Sequence, residues 1–113
     1  MSPADADLAG ELLAAYRRLC ESRDYDAAFH VLMAVLHMAD HGKDMELVDR
    51  VAETAAVQAD EIDTIAPPHH LSTASASGRG QTAVFRIVGI HAQSIKARQR
   101  VGTGPQPAGS SKK

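Results

Sequence analysis

Apolar residues recur every three or four positions in four separate stretches of the chain, which is the spacing of amphipathic α-helices. The first stretch carries Leu8, Leu12, Ala15 and Leu19 on one stripe, widened by Leu13, Tyr16 and Cys20. Its start is marked by Ser2-Pro3-Ala4-Asp5, a capping hydroxyl, a proline in the first turn and an acid near the positive helix end. A helix is therefore expected over 3–22. Asp24 caps a second one over 24–41, where Ala28, Phe29, Val31, Leu32, Val35, Leu36 and Ala39 cover more than half the circumference and require more than one neighbour. Gly42 suits a left-handed C-terminal cap, and Asp44 caps a third helix over 45–65 with Val48, Val51, Ala55, Ala59 and Ile62 on one face. The turn between these two is short, so they should be antiparallel neighbours. Pro67-Pro68 ends the third helix.

Residues 66–80 read APPHHLSTASASGRG, with only Leu71 offering a large group to bury. The composition predicts a flexible linker. Val84, Phe85, Val88, Ala92 and Ile95 then return to helical spacing behind Thr82, which predicts a basic amphipathic helix within 81–100. Residues 101–113 lack any periodicity and are expected to be a disordered tail. The expected fold is all-α: a small antiparallel bundle of three helices in residues 1–65, the linker, and a fourth helix packing on that body or on a partner subunit.

Within the first two helices, Leu12, Leu19, the Asp24-Tyr25-Asp26 turn, Ala28 and Leu32 fall where a tetratricopeptide-type repeat places its large residues, turn and alanine. Residues 12–39 thus resemble one such helical hairpin. Tyr16, Val35 and Asp40 depart from the pattern's small residue, second alanine and closing proline, and no second copy follows about 34 residues later, where Arg50 and Glu53 stand. The resemblance implies an antiparallel helix pair. One hairpin cannot bury its own apolar face, so a neighbour must cover it.

At 113 residues the chain has room for one domain. Twenty residues are Ala and only 23 are Leu, Ile, Val or Phe, so the core must be thin and close-packed. No apolar run is long enough to span a bilayer, and Asp5, Asp7 and Glu11 interrupt the region where an export signal would need an unbroken apolar core. The expectation is a cytoplasmic protein with no membrane contact. The lone Cys20 has no disulfide partner within the chain and reads as a small buried hydrophobe.

Charge is segregated along the chain. Residues 1–63 hold all 14 acids and five bases, a net of −9, whereas residues 64–113 hold seven bases and no acid. The basic helix can dock on the acidic body, its own or a partner's, or serve as an arm for an anionic ligand. Docking is favoured because the helix has an apolar face to cover. Its bases, among them Arg86, Lys96, Arg98 and Arg100, are too dispersed for a nucleic-acid footprint.

The candidate chemistry centres on six histidines. His30, His37 and His41 lie within about 40° of one another around the second helix, and His37 and His41 could share a zinc or copper ion, with Met33 and Asp40 nearby. The competing reading is a solvated helix face, since the Glu of a His-Glu-x-x-His motif is absent. His69 and His70 would point opposite ways in an extended linker, and His91 reads as half-buried beside Val88 and Ile95. Ser72, Ser75 and Ser77 have no base beside them in sequence, and Gly78-Arg79-Gly80 lacks the spacing of a phosphate loop. The acids Asp44, Asp49, Glu53 and Asp60 form no forced pair. No enzyme activity and no cofactor are expected. The sequence reading is a helical protein–protein interaction module that self-associates, or binds another protein, through Phe85, Val88, Ala92, Ile95, Arg98 and Arg100 of the last helix or through the apolar face of the first hairpin. Metal binding through His30, His37 and His41 ranks second, and an anionic-ligand or nucleic-acid role for the basic segment third.

Overall fold

A computed structural model describes residues 1–103 and contains five helices there and no strand: α1 Pro3–Glu21, α2 Tyr25–His41, α3 Met45–Ile65, α4 Thr73–Gly78 and α5 Val84–Thr103. The all-α class holds. Each of the first four helices starts where a side chain satisfies an orphan backbone donor. Ser2 Oγ accepts from Asp5 N at 3.2 Å, Asp24 Oδ1 from Ala27 N, Asp44 Oδ1 from Leu47 N at 3.1 Å, and Ser72 Oγ from Ser75 N at 3.0 Å.

The turns after α1 and α2 are built alike, and one expectation is corrected in them. Gly42 has φ −84°, whereas the next residue, Lys43, takes the left-handed conformation at φ 57°. Arg23 does the same after α1, at φ 60°. In both turns the left-handed residue precedes the capping aspartate, whose N–H bonds back to the last helical turn: Asp24 N to Leu19 O and Asp44 N to Ala39 O. A non-glycine residue is tolerated there because the reversal satisfies carbonyls that the helix end leaves open.

Helix α1 packs on α2 and α3 on α5, and the two pairs join where α2 meets α3 and α5. Ion pairs and rings give the directions. Arg86 near the start of α5 reaches Asp60 and Asp63 near the end of α3, while Lys96 reaches Asp49 near its start, so α3 and α5 are antiparallel. Phe29–Phe85, His37–His91 and Asp40–Arg98 succeed one another along α2 and α5, which therefore run parallel. Fully buried Leu32, Val35, Leu36, Val48, Val51, Ile62, Phe85, Val88 and Ile95 form the shared core. The wide apolar face of α2 is used as its sequence demanded, by three neighbours at once.

The helix pairs spread sideways. The radius of gyration is 16.3 Å and the longest axis 52 Å, against about 13 Å for the radius of a compact domain of this size. A spread of this kind leaves broad outer faces on a small core.

Residues 66–80 differ from the expected flexible linker. Ala66–Ser72 turns tightly, with His69 N bonded to Ala66 O and Ser72 N to His69 O, and α4 follows. Leu71, Ser72 and Ala76 are buried. Small residues hid this element from a periodicity reading, because its anchors are polar: Ser72 Oγ donates to Pro67 O at 2.6 Å, and Asp63 accepts from both Thr73 N and Thr73 Oγ at 2.7 Å. Of the expected tail, residues 101–103 continue α5, and the remainder lies outside the described residues.

Candidate functional site

Four of the six residues expected to form an interaction surface are inside the chain's own core. Phe85, Val88, Ala92 and Ile95 are buried against α2 and α3, so this face of the last helix is covered in cis. Arg98 is also engaged, its guanidinium 3.1 Å from Asp40 Oδ2. Arg100 stays exposed and borders a shallow hollow with Lys43, Met45, Lys96 and Gln99. The segregated charges of the sequence thus meet within one molecule. Three bases of α5 bind four aspartates of α2 and α3, and opposite charge plus an apolar stripe drives that docking.

At the start of α5 one base, Arg86, meets two carboxylates. Burial pushes the Asp63 carboxyl upward, but the bonds from Thr73 N–H, Thr73 Oγ and Arg86 outweigh it and hold the group below its ordinary value. The hydrogen bond to Asp60, with Asp63 assisting, raises Arg86. A carboxylate whose folded pKa is depressed adds stability above its unfolded value, and loses it as pH falls through the folded one. Stability measured by urea unfolding should therefore fall below about pH 4, near the free aspartate value. The Asp63→Asn variant should show a shallower decline. Identical acid limbs in the two proteins would contradict the assignment.

The opposite face of α5 is open. Ile87, Ile90, Ser94, Ala97 and Val101 are all exposed, with Ile90 58% and Ile87 39% accessible. Their spacing alternates three and four residues, the repeat of a helix seam that faces another helix. Sequence reasoning passed over this stripe because the stronger one beside it, Phe85 to Ile95, accounted for the helix.

The three candidate metal ligands on α2 do not gather. A rise of about 1.5 Å per residue puts His30 and His37 about 10 Å apart along the axis, too far for a shared ion however well they align around it. His30 lies against Phe29, His37 meets His91 edge to face at 5.9 Å, and His37 and His41 border an open hollow of about 380 Å³ with Met1, Asp5, Met38 and Gly42. Among the described residues, one set of His, Cys, Asp or Glu brings three ligand atoms within 4.8 Å of each other: Asp26, His69 and His70.

That cluster depends on the turn before α4. His69 and His70 stack at 4.5 Å with ring planes 21° apart, because the turn, unlike an extended chain, turns both rings to one side. Buried Tyr25 and His69 meet edge to face at 5.2 Å, and His70 Nε2 lies 2.9 Å from Asp26 Oδ1. Arg79 donates to the His70 carbonyl at 2.8 Å and to Ser75 Oγ at 3.0 Å, bracing the turn from α4.

No family model, curated protein or solved structure matches the chain. No match supports the tetratricopeptide resemblance of residues 12–39, which rests on the sequence pattern alone. Among the described residues no helix is long and apolar enough to cross a membrane. Burial raises the Cys20 thiol above its ordinary value, against the lowering effect of its bond with Tyr16, and burial likewise raises the Tyr16 phenol. A thiol kept protonated in this way is a poor nucleophile.

Proposed function

We propose that this protein is a small, non-catalytic, cytoplasmic interaction module that pairs with a second copy of itself through the outer face of α5. The supporting observation is the exposed Ile87, Ile90, Ser94, Ala97 stripe at seam spacing on a helix whose other side is already covered. A second copy is the occupant because the stripe is self-complementary. In an antiparallel pair, Ile87 of one copy stands opposite Ala97 of the other and Ile90 opposite Ser94, large against small in every layer. The flanking Arg86 and Arg98 do not repel a like helix strongly, since each already holds a carboxylate of its own chain. Engagement of these bases also weakens any claim of the basic helix on nucleic acid.

The seam spans only about three helical turns, so the dimer is weak and concentration-dependent. Sedimentation equilibrium should give a monomer–dimer equilibrium for the natural sequence, and a monomer of unchanged helicity for the Ile87→Glu/Ile90→Glu double variant. A natural sequence that stays monomeric at every accessible concentration sinks the reading, as does a double variant that still dimerises.

A further inference from the structure

The geometry points to a second site, independent of the proposed pairing, at which Asp26, His69 and His70 bind a borderline divalent cation of the zinc class. Two imidazoles and one carboxylate are the donor types such ions take, and a set of three leaves further positions for water. The three ligand atoms lie within 4.8 Å of one another. Zinc holds such ligands at about 2.0–2.2 Å, so the three atoms must draw together and one imidazole must turn out of the stack for both in-plane lone pairs to meet the ion. The movement needed falls on exposed side chains, since Asp26 and His70 are each 57% accessible.

The surroundings hold the cluster ready. The stack keeps both rings on the Asp26 side, Tyr25 packs against His69 edge to face, and Arg79 fixes the backbone of His70 through its carbonyl. Supporting contacts of this kind set the orientation of a metal-binding imidazole. The opposing features are also local. Asp26 stands in the first turn of α2, whose positive end disfavours a cation, and the carboxylates of Asp24 and Asp26 offset it. Leu71 N–H donates to His69 Nδ1 at 3.1 Å. Metal entry at His69 exchanges that bond for coordination, by either ring nitrogen, so His70 and Asp26 are the ligands whose loss weakens binding most.

A bound ion would clasp the start of α2 to the segment before α4, 44 residues apart at Asp26 and His70 and otherwise joined by the exposed contact between those two side chains and by the Tyr25–His69 ring pair. Binding should thus stabilise the fold as well as occupy a surface.

Equilibrium dialysis of the untagged full chain against zinc chloride, with metal content read by mass spectrometry, tests the site. One zinc per chain is expected, together with a higher thermal midpoint when zinc is present. Cobalt(II) bound in its place should show visible d–d absorption with the intensity of a low-coordinate site. His70→Ala and Asp26→Asn should each weaken zinc binding beyond the about 10–100-fold that loss of a supporting contact costs, and abolish the thermal shift. The His37→Ala/His41→Ala variant should bind as the natural sequence does. Absence of zinc uptake overturns the site, and so does uptake that survives His70→Ala or disappears only with His37 and His41. Because these readouts are independent of subunit number, the site and the dimer can fail separately.

Discussion

Truncating Phe85 to alanine is expected to destabilise the protein by about 3–5 kcal/mol, a large share of the stability of a small domain. Phe85 is the largest fully buried side chain and meets Phe29 edge to face at 6.0 Å, at the junction where α5 joins α2 and α3. The chain has only two phenylalanines and no tryptophan, so this pair supplies much of the apolar area that the alanine-rich helices cannot. Removing one ring costs its transfer free energy and leaves a cavity whose walls, built on three long helices, collapse only in part. Urea unfolding at several protein concentrations checks the expectation. The loss should be the same at each concentration, because the ring is buried within one chain. A loss that appears only where the protein is dimeric would move Phe85 to the subunit interface.

Replacing Ser72 by alanine should cost about 2–4 kcal/mol, unusually much for so small a side chain. Its hydroxyl is fully buried and does two jobs, donating to Pro67 O and accepting from Ser75 N as the N-cap of α4. Alanine leaves a carbonyl without its donor and a helix start without its cap. Hydrogen exchange should speed up in residues 72–79, including Thr73 N–H at the Asp63 contact that ties α4 to α3. A change within about 0.5 kcal/mol, the usual range for a surface substitution, would mean that residues 66–80 act as the spacer their composition suggests.

The two substitutions mark where the sequence can be read and where it cannot. Phe85 belongs to an apolar stripe at helical spacing, and from such stripes α1, α2, α3 and α5 could be placed within a few residues of their observed ends. Ser72 belongs to a run of small polar residues, where periodicity carries no signal. Its partner is a carbonyl five residues away, and its neighbour Thr73 binds an aspartate ten residues away. The stacked histidines were hidden for the same reason. Adjacent residues point apart in an extended chain, and only the turn after Pro67-Pro68 brings both rings toward Asp26. The metal trio read from α2 failed on the axial coordinate, since angular agreement around a helix says nothing about distance along it.

Buried Gln58 is a case where residue type hid what spacing would have shown. It lies 5% exposed on the apolar side of α3, where its Oε1 accepts from the Tyr16 hydroxyl at 3.4 Å and its Nε2 has no partner among the described residues. Its place, three residues after Ala55 and four before Ile62, puts it on the buried stripe of α3, but spacing gives no hint of its partner, the Tyr16 hydroxyl of α1.

By itself the sequence determined the helical class, the capping residues that start α1, α2 and α3, and the apolar faces that had to be covered. These follow from local backbone preference and from a period of 3.6 residues, both written in neighbouring positions. The opposite charges of the two halves also made docking between them favourable. Only the tertiary structure decided that the docking occurs in cis, and which side of α5 stays open. It also decided that Asp26 meets His70 across 44 residues. Those outcomes depend on contacts between distant segments, whose distances and angles are set when the whole set of helices packs and by no single stretch of chain.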